Sequence, residues 1–260
     1  MPRFAANLSM MFTEWSFLDR FAAAADAGFT AVEYLFPYEH KPDEVGAALA
    51  RAGLVQALFN LPPGDWAAGE RGMAAFPARA EELAAAVEAA LPYAAATGCR
   101  TLHLMAGLAD RADPAAEAAY RAAVIRTAER IGRAGITLVL EPINKRDMPG
   151  YFLNDFGYAA ALIRDLALPN LALQFDLYHR QILHGDVVMG LREMMPIIGH
   201  VQIAGVPERH EPDASELAFA VVTEELDRLG YKGFIGCEYR PRAGTVEGLG
   251  WFQPYRPPAR

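Results

Sequence analysis

The sequence predicts one (β/α)8 barrel over residues 1–260, with an irregular tail rich in proline and glycine where an ordinary eighth helix would stand. Three observations lead there. The chain has 260 residues, 53% of them apolar, close to the roughly 250 residues of such a barrel and ample for one large core. Short apolar runs bounded by glycine or proline alternate with helical periodicity along the chain, the pattern of parallel strands covered by helices. Successive runs in the second half then end in, or present, an oxygen-bearing side chain: Glu141 after TLVL, Asp176 in LALQFD, Gln202 in HVQI and Glu238 in GFIGCE. An open doubly wound sheet is the alternative. No G-x-G-x-x-G follows an early strand, which lowers the dinucleotide-binding version of it.

Taken in order, RFAANL (3–8) is a short first strand with Asn7 at its end. Ser16 and Asp19 start a helix that Gly28 stops, since glycine readily takes the left-handed conformation of a helix C-terminus. TAVEYLF is the second strand, with Glu33 inside it, and PDEVGAALARA is a helix ending at Gly53. LVQALFN, ending in Asn60, is the third strand. The stretch from Leu61 to Phe76 has no periodicity. A loop of that length in a compact domain is usually functional, and its Trp66 and glycines suggest a lid.

A long Ala/Glu-rich helix to Gly98 must be kinked or divided by Pro92,. TLHLM is the fourth strand, with His103 in its middle; Pro114 opens a helix reaching Ala134, and TLVLE is the fifth strand. Asn154 is expected to cap a helix through Leu166, before LALQFD as strand six. A helical region from Tyr178 to about Met194 breaks near Gly185; HVQIA is strand seven, SELAFAVVTEELDRLG its helix and GFIGCE strand eight. His200, at the start of strand seven, reads as structural. The tail from Arg240 to Arg260 holds at most a short helix, TVEGLGWF.

A net charge of −8 argues against a nucleic-acid or membrane partner, since both need a basic surface. With no long apolar run and no charged-then-apolar leader, the reading is a cytoplasmic protein. Cys99 and Cys237 sit in apolar runs and read as buried, reduced thiols,. The oligomeric state is open, a homo-oligomer included.

In barrels of this kind the site lies at the C-terminal ends of the strands. Glu141, Asp176, Gln202 and Glu238 would therefore converge there, and carboxylates packed so closely need a compensating cation. All-oxygen ligation favours a hard divalent ion, Mg2+ or Mn2+, over zinc. His179 follows Asp176 by three residues and is placed to meet a substrate. Arg209 is set to meet an anionic ligand, with Arg71 or Lys145 as second choices, and His103 is either a core histidine or a ligand contact.

The stretches NLPPGDWAAGERG (60–72), LEPIN (140–144), FDLYHRQ (175–181), HVQIAGVPERHEPD (200–213) and GFIGCEYRP (233–241) resemble those of hydroxypyruvate isomerases, within the wider xylose-isomerase-like barrels. The resemblance spans nearly the whole chain. It implies that Glu141 and Glu238 are both metal ligands and the acid/base pair, with Asp176 and Gln202 completing the metal site. In the wider superfamily the position of Gln202 often holds His. The implied reaction interconverts hydroxypyruvate and 2-hydroxy-3-oxopropanoate, a small hydroxy-oxo acid, by proton transfer through an enediolate. A 2-oxo-tetronate isomerase, or another sugar or sugar-acid isomerase or epimerase, is the alternative.

Overall fold

A computed structural model describes residues 2–256. Eight parallel strands, β1 (Arg3–Asn7), β2 (Ala31–Tyr34), β3 (Val55–Asn60), β4 (Thr101–His103), β5 (Thr137–Leu140), β6 (Leu171–Asp176), β7 (Ile198–Ile203) and β8 (Phe234–Cys237), close in sequence order, with β1 pairing β8. The open sheet is thereby excluded. Around them run α1 (Arg20–Asp26), α2 (Pro42–Ala52), α3 (Ala80–Thr97), α4 (Pro114–Gly132), α5 (Phe156–Leu166), α6 (Leu177–Leu183), α7 (Val187–Met194) and α8 (Phe219–Arg228). The expected break near Gly185 separates α6 from α7.

The departures from expectation are local. Pro92 lies inside one helix that runs unbroken to Thr97. The N-cap of α5 is Asp155 rather than Asn154: the Asp155 carboxylate accepts from the Tyr158 amide at 2.6 Å, while Asn154 donates to the Tyr151 carbonyl. A cap accepts through a side-chain oxygen, and here it is the Asp155 oxygen that meets the amide,. Strand β7 begins at Ile198, two residues early, which puts His200 within the barrel wall rather than at its entrance.

In the tail, a 3-10 segment at Leu249–Tyr255 stands where an eighth helix pair would close the ring. Phe4 meets Trp251 and Tyr255 edge-on at 5.3 and 5.1 Å, and Phe29 stacks on Phe252 at 4.2 Å. Aromatic burial of this kind supplies large apolar area from few residues. The last four residues of the expected tail lie outside the described residues. No helix among the described residues is long and apolar enough to cross a membrane.

The stretch 61–76 is tied down along its length. Gly72 sits at φ +116°, and a Cβ there would fall 2.3 Å from the Met105 carbonyl oxygen, so only glycine lets the loop lie against the end of β4,. Asp65 and Glu70 bond within the loop, Glu70 pairs with Arg79, and Arg71 covers the Trp66 ring at 3.8 Å.

Candidate active site

The strand ends deliver what the sequence placed there. Glu141 follows the last residue of β5, Asp176 ends β6, and Glu238 follows β8. Gln202 lies beside Asp176 across the β6–β7 ladder. All four are buried. Glu141, Asp176, Glu238 and His179 each offer a ligand atom within 4.8 Å of the others. His179 arrives one helical turn after Asp176, on α6. Its Nδ1 faces the Asn144 side-chain amide at 2.7 Å, and its Nε2 lies 3.6 Å from Asp176 and 3.8 Å from Glu141. His103 brings Nε2 to 3.8 Å from the other Glu141 oxygen.

These carboxylates are incompletely satisfied. One oxygen of Asp176 accepts from the Tyr178 amide at 2.7 Å, capping α6. The other, together with Glu141 Oε1 and both ring nitrogens of His103, has no hydrogen-bond partner among the described residues. Buried polar atoms are nearly always paired, so a group of orphans facing one space marks a place for a ligand. An acidic, oxygen-rich donor set with orphaned anionic oxygens fits a hard divalent cation.

Electrostatics agree with the geometry. Burial, then the neighbouring Glu238 and Asp176, holds the Glu141 carboxyl well above its ordinary range. Burial raises Glu238 to about 8 and Asp176 to about 6, each against the pull of Arg209,. The same burial drives His103 down to about 3 and His179 well below its usual value. Both imidazoles are therefore neutral at physiological pH, with no charge to repel a cation.

Arg209 is the counter-charge. It is buried at a left-handed backbone position, φ 61°. Its guanidinium pairs with Glu238, lies 3.5 Å from Asp176, and reaches the Asp147 carboxylate at 3.0 Å. It also stands over the Tyr178 ring at 4.9 Å. Burial disfavours its charge, but Glu238, Asp176, Glu141 and Asp147 together hold it protonated.

The two second-choice cations make no ion pair with the cluster among the described residues. Arg71 donates from Nη1 to the Trp66 and Glu70 carbonyls. Lys145 is exposed and lines a cavity of about 860 Å³ with Leu108, Arg111 and Tyr151, a lining that contains none of the four strand-end residues. Sequence reasoning gave no role to Asn144 and Asp147, which orient His179 and Arg209. They sit in the loop after Pro142, where nothing in the local pattern announces a long-range partner. It also passed over Glu33, Gln174 and Asn7 as partners of the site. The reading of His200 changes too: its Nε2 lies 2.7 Å from buried Glu33, inside the barrel.

Comparison with known proteins follows the same line. The sequence profile of the family described as "Xylose isomerase-like TIM barrel" matches residues 21–255. The chain belongs to that family. It is 55% identical over 259 residues to the 2-oxo-tetronate isomerase of Cupriavidus necator, covering 98% of this chain and 99% of that one. Over 259 residues it is 40% identical to the hydroxypyruvate isomerase of Escherichia coli K12, covering 98% and 100%. A crystal structure from Brucella melitensis, described as "AP endonuclease, family 2", superposes with a TM-score of 0.96 at 49% identity, covering 99% of this chain and 100% of that one. The Escherichia coli 3-keto-D-glucoside 4-epimerase, at 20% identity and TM-score 0.77 with 98% and 99% covered, shares the fold.

Proposed function

We propose that this family member is a metal-dependent isomerase of a short hydroxy-oxo acid, exchanging a carbonyl and a hydroxyl between C2 and C3. The observation that carries the reading is the buried group of Glu141, Asp176 and Glu238 with orphaned oxygens at the C-terminal end of the barrel. In hydroxypyruvate the carbonyl stands at C2. Removing a proton from C3 gives the enediolate, and returning one to C2 gives 2-hydroxy-3-oxopropanoate. A 2-oxo-tetronate undergoes the same exchange in a chain one carbon longer. The higher identity to the Cupriavidus necator relative (55%) than to the Escherichia coli one (40%) makes the four-carbon acid the first to assay.

Mg2+ or Mn2+ held by Glu141, Asp176, Gln202 and Glu238 would supply Lewis-acid polarisation of the substrate oxygens, acidifying the C–H. The chain's own groups do the rest. Glu141, just after the fifth strand, and Glu238, just after the eighth, serve as the acid/base pair, one taking the proton and the other returning it,. Neutral His179 and His103 meet the substrate hydroxyl and carbonyl oxygens. Arg209, the only arginine paired with the cluster among the described residues, takes the substrate carboxylate,. Arg71 and Lys145 are left to the rim.

The Brucella structure's description raises nucleic acid as an alternative partner. A chain of net charge −8 lacks the excess of basic groups that a phosphate backbone needs,. The deciding experiment is an isomerisation assay over hydroxypyruvate, 2-oxo-tetronates and ketoses, with Mg2+, Mn2+ or chelator. Turnover of a short acid that chelator abolishes and metal restores is the expected result. If no acid is turned over at saturating metal, the reading is wrong.

A further inference from the structure

Beneath the carboxylates lies a second set of buried polar side chains that the proposed reaction does not use: Asn7, Glu33, Gln174 and His200, together with the inner side of Gln202. Their hydrogen bonds run in one direction, and a backbone group fixes that direction. The Ser9 amide N–H can only donate, and it donates to Asn7 Oδ1 at 3.0 Å,. Asn7 therefore turns its amide nitrogen inward, where it meets Glu33 Oε1 at 2.9 Å. The other Glu33 oxygen lies 2.7 Å from His200 Nε2. Gly236, opposite on β8, leaves the space: a Cβ there would stand 2.2 Å from Glu33 Oε2.

A carboxylate with donors on both oxygens only accepts. Gln202 must then offer its nitrogen, and Nε2 sits 2.7 Å from Glu33 Oε1. An amide that commits its nitrogen to one side shows its oxygen to the other. Gln202 Oε1 accordingly faces Gln174 Nε2 at 2.6 Å.

We infer that Glu33 is a positioning residue that sets the amide of Gln202, so that this side chain gives the metal site an oxygen rather than an N–H. The inference rests on the metal reading above. A reversed Gln202 would aim polarised hydrogens at the cation and cease to be a ligand. A glutamine ligand therefore needs a partner that fixes which end of its amide faces the metal, and Glu33, which accepts from three donors, is that partner.

The test is a cycle of Mn2+ titrations by calorimetry on the metal-stripped full chain. Glu33→Gln allows residue 33 to donate and so permits both orientations of Gln202; Mn2+ affinity should fall about 10–100-fold, as for loss of a ligand's supporting partner. Gln202→Met removes the ligand whose orientation is in question, and in that background Glu33→Gln should cost only a few-fold. Losing a negative charge near the cation acts alike in both backgrounds, so the difference between the two steps reports orientation alone. Glu33→Asp, which keeps the charge and shortens the reach, should show the same dependence on background and serves if Glu33→Gln does not fold. If wild type binds Mn2+ and the Glu33 step costs the same in both backgrounds, or nothing in either, the inference is overturned and the metal reading stands. If wild type binds no Mn2+, both fall.

Discussion

Two sets of buried carboxylates share the inside of this barrel. Glu33, on β2, accepts from Asn7, Gln202 and His200, and neither oxygen lacks a partner. Glu141 and Asp176, on the opposite wall, each keep an oxygen with no hydrogen-bond partner among the described residues, beside a third carboxylate, Glu238. The first arrangement is complete in the polypeptide alone. The second balances only part of its charge, through Arg209, which also answers Asp147. Burial is equal in the two, so burial does not distinguish a structural carboxylate from a reactive one. The count of donors does.

The comparison can be broken most directly at Arg209. Arg209→Met removes the polypeptide's own cation from the incomplete set and should destabilise the metal-free protein by about 3–5 kcal/mol, as for a buried pair that loses one partner. Mn2+ should recover most of that loss. Thermal melts with and without metal check it, and an equal loss in both conditions would show that Arg209 is ordinary packing.

The next effect is catalytic. Glu141→Gln and Glu238→Gln keep the volume and an oxygen but remove the proton acceptor, so turnover at saturating metal should fall at least about 10²-fold. Metal affinity should fall less. Asp176→Asn should behave the other way, with activity recovered at high metal concentration. Near-wild-type turnover in either glutamine variant would mean that the proton carrier is another residue.

The pH dependence of stability is smaller and has a definite sign. Glu238 and Asp176 hold their protons in the folded state up to about pH 8 and 6, above the ordinary carboxylate range. Their contribution is therefore fully present below the unfolded values and is lost as pH rises through the folded ones. The metal-free protein should melt lower at about pH 8.5 than at about pH 5.5, by more in wild type than in Glu238→Gln. Mn2+, which replaces those protons, should narrow the difference. If wild type and Glu238→Gln respond identically to pH, Glu238 is not the titrating group.

The smallest effect belongs to the loop over residues 61–76. Its internal bonds and the Gly72 contact make it a docked segment more than a free flap. Glu70→Ala, which releases Arg79 and the Asp65 amide, should quicken hydrogen exchange around Trp66 with little change in melting temperature. If adding substrate and metal leaves exchange there unchanged in the wild type, the loop is no lid.

The sequence was informative where a side chain's position along its own element carries the meaning. Apolar runs ending in Glu141, Asp176 and Glu238 locate a site because a strand end in a barrel has one face to open onto. Glu33 gives no such signal, since it stands within TAVEYLF and its three partners come from β1 and β7. Asn144 and Asp147 fail for a related reason: each matters through a residue 35 or 62 positions away, and loop sequence does not encode that partner. Asn154 and Asp155 are both residue types that suit a cap, and only the backbone's turn decides which one faces the amides,.

The closure of β1 onto β8, reinforced by Phe4 against the Leu249–Tyr255 segment, also bears on how the chain is made. The first strand leaves the ribosome with one hydrogen-bonding edge and one aromatic side chain whose partners are encoded more than two hundred residues later. Until Phe234–Cys237 emerges, the nascent sheet is open at β1, and an unpaired edge is a template for pairing with another chain. Stalled or prematurely ended translation products of this gene should therefore be clients of chaperones and proteases rather than partly active enzymes.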